Sequence, residues 1–224
     1  FGTDQLGRDV LSRLVYGIRA TVFLSLLTMA ITSALGACVG LVSGFFRNRI
    51  DDVLMRICDV MMSFPSEVMI LAIVGMMGPG LENVVIANVV AKWPWYARMV
   101  RSIVRQYSDK DYIRFAKVAG GSSIRIMMRH LLPGTAGELF VLTTLDTGSV
   151  ILMISALSFL GLGVQPPTPE WGMMLNEAKE VMTMYPLQMI PAGMAILLVV
   201  AAFNFLGDSL RDAFDPKHAG RERS

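Results

Sequence analysis

The chain has 224 residues, of which 54% are hydrophobic and 17% charged, against about 25% charged in an ordinary soluble domain. A formal net charge of +2 carries little by itself, and no nucleic acid is expected among the partners. Three stretches lack any charge: 27 residues from Ala20 to Phe46, 23 from Thr147 to Pro169 and 27 from Val181 to Gly207. A membrane-crossing helix needs about 20 such residues, and buried helices of soluble proteins rarely run that long. A large soluble all-α protein is thereby disfavoured, and an all-α polytopic membrane protein is expected.

In chain order, residues 1–19 are polar with apolar positions at three- and four-residue spacing (Leu6, Val10, Leu11, Leu14, Val15, Ile18). This predicts a short amphipathic helix on a membrane surface, outside the membrane. Residues 20–46 form the clearest span. Gly36, Gly40 and Gly44 repeat every fourth residue there, which puts them on one helix face for close packing. Residues 50–78 form a weaker span that Pro65 should kink or break, followed by a Gly-Pro-Gly turn at 78–80. Residues 81–105 are apolar enough only in part, because Lys92 interrupts the run and Pro94 breaks the hydrogen-bond ladder.

The hydrophilic stretch 106–133 predicts two short amphipathic helices. Gly120-Gly121 separates them, Ser122 or Ser123 caps the second, and Pro133 stops it. A span follows over 135–163, then an external loop, 164–186, with a short polar helix. The last span covers 187–210, with a cytoplasmic tail over 213–224. The membrane-embedded body is thus 20–212, with five spans. The opening Phe1, in mid-pattern, leads us to expect a further segment ahead of it. Orientation follows from Lys and Arg, which concentrate on the cytoplasmic side. Fifteen of the 20 fall in 47–56, 98–129 and 211–223, so the basic middle segment and the C-terminus are expected inside.

Catalytic constellations are absent. No Gly-Lys pair occurs, so there is no phosphate loop with its lysine. The histidines number two, His130 and His218, and Cys38 and Cys58 have neither disulfide nor zinc spacing. No metal or cofactor is expected on this chain. Ionisable residues inside spans are functional candidates by default. These are Glu67, Lys92 and Asp146, with Glu138 better read as lying near an interface. For Lys92 and Asp146, pathway lining, an interhelical contact and a place near an interface all stay open. Met61 and Met62 are candidate pathway residues as well, although packing is the commoner use of methionine.

Several segments then converge on one family. Residues 107–133, from Tyr-Ser-Asp-Lys-Asp-Tyr-Ile-Arg-Phe-Ala to Arg-His-Leu-Leu-Pro, resemble the cytoplasmic "EAA" loop of ABC importer permeases. Phe-Gly-Thr-Asp-Gln-Leu-Gly-Arg-Asp at the start, Met-Ser-Phe-Pro at 62–65, Leu-Ser-Phe-Leu-Gly-Leu-Gly-Val at 157–164, Pro-Glu-Trp-Gly at 169–172 and Asn-Phe-Leu-Gly-Asp-Ser-Leu-Arg-Asp at 204–212 resemble the dipeptide/oligopeptide/nickel group.

The resemblance implies the binding-protein-dependent importer permease fold with six spans, five of them here, in a bacterial inner membrane. It implies a second, paralogous permease, two ATPase subunits that carry ATP and Mg, and an external solute-binding protein, all arranged around membrane lipid. It also implies that 107–133 couples the ATPases to the spans, with Asp111, Arg114, Phe115, Ala116, Gly120, Gly121 and Pro133 as the coupling residues. Where the family has Glu-Ala-Ala, this chain has Arg114-Phe115-Ala116, and Asp111 is the acidic residue left to compensate. Residues 92–102 look most like the nickel branch, second permease of its pair. Nickel or a metal–chelator complex is therefore the expected substrate, with short peptides as the alternative. A stand-alone transporter would predict inverted repeats, and a membrane enzyme a catalytic constellation; neither is visible.

Overall fold

A computed structural model of the chain describes residues 1–214, and every element among them is helical apart from an isolated bridge between Thr3 and Asp9. The expected tail from 215 onward lies outside the described residues. Helix α1 (Val10–Ile18) begins where the Asp9 carboxylate accepts the Ser12 N–H at 2.7 Å, a side-chain N-cap. It then differs from the sequence expectation. A π turn at Arg19–Phe23 carries it without a stop into α2 (Leu24–Phe46), giving one helix of 37 residues. The amphipathic segment extends the first span because the wide π turn accommodates an extra residue without breaking the hydrogen-bond ladder.

Helix α3 (Arg49–Met62) and helix α4 (Ser66–Met77) meet at an 81° bend. Pro65 sits at the α4 N-cap, where its missing N–H costs nothing. Helix α5 (Leu81–Ser108) runs 28 residues straight through Pro94, so Pro94 does not break it. Ala91, Pro94, Tyr96, Ala97 and Val100 are all buried, and packing on several sides offsets the lost hydrogen bond.

The most extensive helix–helix contact among the described residues is α2 against α5, and the glycine face mediates it. A Cβ on Gly40 would lie 2.6 Å from the Ala97 carbonyl oxygen, and one on Gly44 would lie 2.8 Å from the Val104 side chain. Gly36 faces Tyr96 at still closer range.

Past a short connection come α6 (Asp111–Val118) and α7 (Ser123–Ile126). A second π turn, Met127–Leu131, joins α7 to α8 (Leu132–Phe159), so Ser123–Phe159 forms another helix of 37 residues. Pro133 therefore does not stop the second amphipathic helix. It occupies the first turn after the π turn, where a missing N–H is tolerated. Ser122 takes the N-cap position of α7, with no hydrogen bond from its side chain.

Helix α9 (Trp171–Lys179) lies within the expected external loop, yet Trp171, Met173, Met174 and Ala178 are buried against α8, α10 and α1. Glu170 caps it, accepting the Met173 N–H at 2.8 Å and the Thr21 hydroxyl at 3.0 Å. The Trp171 indole donates to the Leu14 carbonyl at 2.9 Å. A 3₁₀ turn (Pro186–Met189) leads into α10 (Ile190–Phe214).

By length and composition three helices can cross a membrane, or four if the bent α3–α4 pair counts as one. Helix α5 is long enough, but Glu82, Lys92, Arg98, Arg101 and Arg105 keep it out of that count. Most of those charges face other helices, so α5 is the polar centre of an apolar bundle.

Candidate functional site

Two regions gather the chemistry. The first begins at the α3–α4 break. A helix that turns by 81° cannot pack along its neighbours on both sides of the turn. It leaves a cavity of about 600 Å³ between the break, α5 and α8. Glu67, Lys92, Asp146, Met61 and Met62 all line this one space.

Lys92 is twelfth in α5 and Asp146 fifteenth in α8, each near the middle of a 28-residue helix. The Lys92 ammonium donates to both Asp146 carboxylate oxygens, at 2.8 and 3.0 Å, and reaches the Ser149 hydroxyl at 3.0 Å. The Tyr96 hydroxyl donates to Asp146 at 3.1 Å, and Ser149 donates to it as well. The two partners keep 17% and 23% side-chain exposure, so the pair is half-buried and opens onto the cavity. Glu67 lines the same cavity from the start of α4, and its carboxylate accepts the Ser66 hydroxyl at 3.0 Å.

Tyr96, Trp95 and Ser149 were not singled out as site residues from the sequence. Their spacing carried a signal. Lys92 and Tyr96 stand at i,i+4, and Asp146 and Ser149 at i,i+3, so each pair shares a helix face.

The second region is the α6–α7 segment. Helix α6 ends in a Schellman motif: the Gly120 N–H donates to the Lys117 carbonyl at 3.1 Å, and the Gly121 N–H to the Ala116 carbonyl at 3.0 Å. Gly120 takes φ +78°, the left-handed region that favours glycine. Ile113 and Ile126 are buried with Leu41, Val100 and Leu131, which fastens the segment to α2, α5 and the start of α8. The other face is bare: Phe115 is 77% exposed, Val118 88% and Ile124 71%. Asp111 and Arg114 are exposed too, with no ion pair between them. Arg47, at the end of α2, pairs with Asp109 at 2.9 Å, and its hydrogen bond holds the Asp109 carboxyl below its ordinary value.

A bundle of long apolar helices around a charged cavity, with a basic, partly apolar segment bared at one end, defines a membrane permease. The chain belongs to the family of binding-protein-dependent transport system inner membrane components, which matches residues 36–219. It is 42% identical over 222 residues to the metal-staphylopine import system permease protein CntC of Staphylococcus aureus, covering 99% of this chain and 77% of that one. The nickel transport system permease protein NikC of Escherichia coli is 40% identical over 215 residues, covering 96% and 78%. The di/tripeptide transport system permease protein DppC of Pseudomonas aeruginosa is 44% identical over 216 residues, covering 96% and 71%. The fold matches a chain of the MetNI methionine ABC transporter in an inward-facing conformation, with a TM-score of 0.69. That match has 17% identity and covers 92% of this chain and 98% of that one.

Proposed function

We propose that this multi-pass permease forms one half of the translocation path of an ATP-driven importer, and that its cargo is nickel or a metal–chelator complex. The observation that carries the importer reading is the bared apolar face of Phe115, Val118 and Ile124 on a segment otherwise anchored in the bundle. Large apolar side chains left this exposed on one short segment fit a contact with a partner. The partners would be two ATPase subunits, which bind ATP and Mg. A second, paralogous permease would close the open side of the cavity, and an external binding protein would deliver cargo at the α9 end. The C-terminus would then be cytoplasmic.

The mechanism follows from connectivity. Helix α5 runs into α6, and α7 runs through the π turn into α8. A displacement of α6 and α7 by the ATPases therefore acts on both helices that carry the Lys92–Asp146 pair. Alternating access would be a rocking of these helices against those of the partner permease. The chelated form of the metal is favoured because no cluster of three or more His, Cys, Asp and Glu suited to a metal ion occurs among the described residues. The di/tripeptide permease relative supports short peptides as the second reading.

The test is to express the chain with its genomic neighbours, purify the assembly and measure ATP-dependent uptake into proteoliposomes. Radiolabelled nickel, with and without chelators, would be compared with dipeptides. Co-elution with an ATPase and uptake of the chelated metal is the expected result. Uptake of peptides alone would replace the cargo and keep the importer. An assembly with no ATPase would overturn the reading.

A further inference from the structure

The Lys92–Asp146 pair is poorly explained as a structural clamp. An ion pair withdrawn from water about breaks even against an apolar pair of the same shape, and mid-helix charges are costly in a membrane protein. Here both charges are kept, and Tyr96 and Ser149 orient the carboxylate. The pair also opens on a cavity large enough for a small organic molecule. Glu67 lines the same cavity from α4, and its one hydrogen-bond partner among the described residues is the neutral Ser66 hydroxyl. This chain thus presents one cationic and two anionic groups to that space, a donor set and an acceptor set side by side.

We propose that this cavity is a subsite for a cargo that carries both an ammonium and a carboxylate group. As the cargo enters, its carboxylate takes the Lys92 ammonium. Its ammonium takes Asp146, or Glu67 across the cavity. Each protein charge changes partner and none is left bare, so the ion pair opens without the penalty of an uncompensated charge. A neutral or singly charged molecule cannot make that exchange and meets a closed pair. Because the pair ties α5 to α8, the two helices that the α6–α7 segment joins, its opening also loosens the contact through which the ATPases would act. The inference rests on the importer reading above. Two cargo sources share this chemistry, a metal complex of an amino-carboxylate chelator that keeps one ammonium outside the metal's coordination shell, and a free peptide.

The experiment uses the purified importer assembly with its binding protein in proteoliposomes. It compares wild type with Lys92→Gln, Asp146→Asn and the double neutralisation Lys92→Gln with Asp146→Asn. The probes are a nickel complex of a lysine-bearing amino-polycarboxylate chelator whose ε-ammonium stays uncoordinated, a tripeptide, and the same tripeptide acetylated and esterified at its ends. The quantity read is the ratio of kcat/KM for each free-ended cargo to that for the blocked peptide. The same binding protein serves every variant, so its own preference cancels when variants are compared. Either single neutralisation is expected to lower the ratio about tenfold, the effect of about 1.4 kcal/mol.

A purely structural pair would lower uptake of free and blocked cargo together and leave the ratio unchanged, and that outcome overturns the proposal. The double neutralisation leaves no uncompensated charge, so it reports the ratio even if a single variant does not assemble; there too the ratio is expected to fall, and an unchanged ratio counts against the subsite. A reduced ratio for the nickel complex identifies the chelate as the source, and one for the tripeptide identifies the peptide. If wild type takes up neither cargo in an ATP-dependent way, the importer reading fails and the subsite with it. Wild-type uptake with unchanged ratios defeats the subsite alone.

Discussion

At the scale of single residues, glycine is used here for what it lacks. The contact of α2 with α5 admits no Cβ at Gly40, because one would sit 2.6 Å from the Ala97 carbonyl oxygen, a backbone atom that cannot swing aside. Gly40→Val is therefore expected to destabilise the protein by about 1–3 kcal/mol, the usual cost of overpacking. Gly75 is the contrast, since a Cβ there meets nothing within 4 Å. Gly75→Ala is expected to leave stability unchanged or raise it by up to about 1 kcal/mol through helix propensity. Thermal unfolding of the detergent-solubilised variants checks both, and equal losses at the two sites would refute the packing argument. The three-glycine repeat was legible in the sequence. Its partner, Tyr96 to Val104 on α5, was not, because spacing along one helix says nothing about which helix lies opposite.

At the scale of elements, the informative places are where helices end or fail to end. Pro65, Pro94 and Pro133 are the same residue to a sequence pattern, but they do three different things. Pro65 begins α4 after a sharp bend, Pro94 sits inside a helix held by its neighbours, and Pro133 follows a π turn. The real stop between α6 and α7 is Gly120, at φ +78° with open space around it. Any side chain there pays a conformational cost alone, about 1–2 kcal/mol. Gly120→Val is expected to disturb the α6–α7 turn while the long helices still form. In the reconstituted assembly, ATP hydrolysis should persist while uptake falls. Normal coupling in a folded variant would remove the role given to this turn.

At the scale of the whole molecule, charge networks fasten the two ends of the bundle. At one end the Asp51 carboxylate, with 4% side-chain exposure, accepts from Ser43, from Arg101 at 2.5 and 2.8 Å, and from Arg105. It thereby joins α2, α3 and α5. Asp51→Ala strands two guanidinium groups and is expected to cost about 3 kcal/mol, the low end for breaking a buried pair because both arginines stay partly exposed. Denaturant unfolding checks it, and a loss near zero would refute it.

At the other end Asp4, Arg8, Arg13 and Glu177 tie the first residues to α9, with contacts of 2.5 to 2.9 Å. Burial pushes the Asp4 carboxyl up, but hydrogen bonds from the Arg8 amide and guanidinium and from the Leu6 amide outweigh it and hold the group below its ordinary 3.8. A depressed carboxylate stabilises above its unfolded value, and that contribution disappears as the pH falls through its folded value. The stability gap between wild type and Asp4→Asn should hold steady down to about pH 5 and close below about pH 4. A gap that widens in acid would contradict this sign.

The long charge-free runs by themselves pointed to a helical membrane protein, because they match the length a membrane-crossing helix needs and exceed that of most buried soluble helices. The motifs along the chain, from the opening segment through 107–133 and 157–172 to 204–212, together carried the resemblance to importer permeases. The apolar-run reading undervalued α5 and α9, whose burial comes from neighbours rather than from their own hydropathy. It also separated α1 from α2, which a π turn joins. Lys92 and Asp146 were each visible as charges within spans, but 54 positions apart. Only the packing of α5 on α8 beside the bent α3–α4 pair brought them within 2.8 Å and set a cavity in front of them. The reason is physical: local pattern fixes what a helix is and which face is apolar, whereas the partner across a contact is chosen by the shape of the whole bundle.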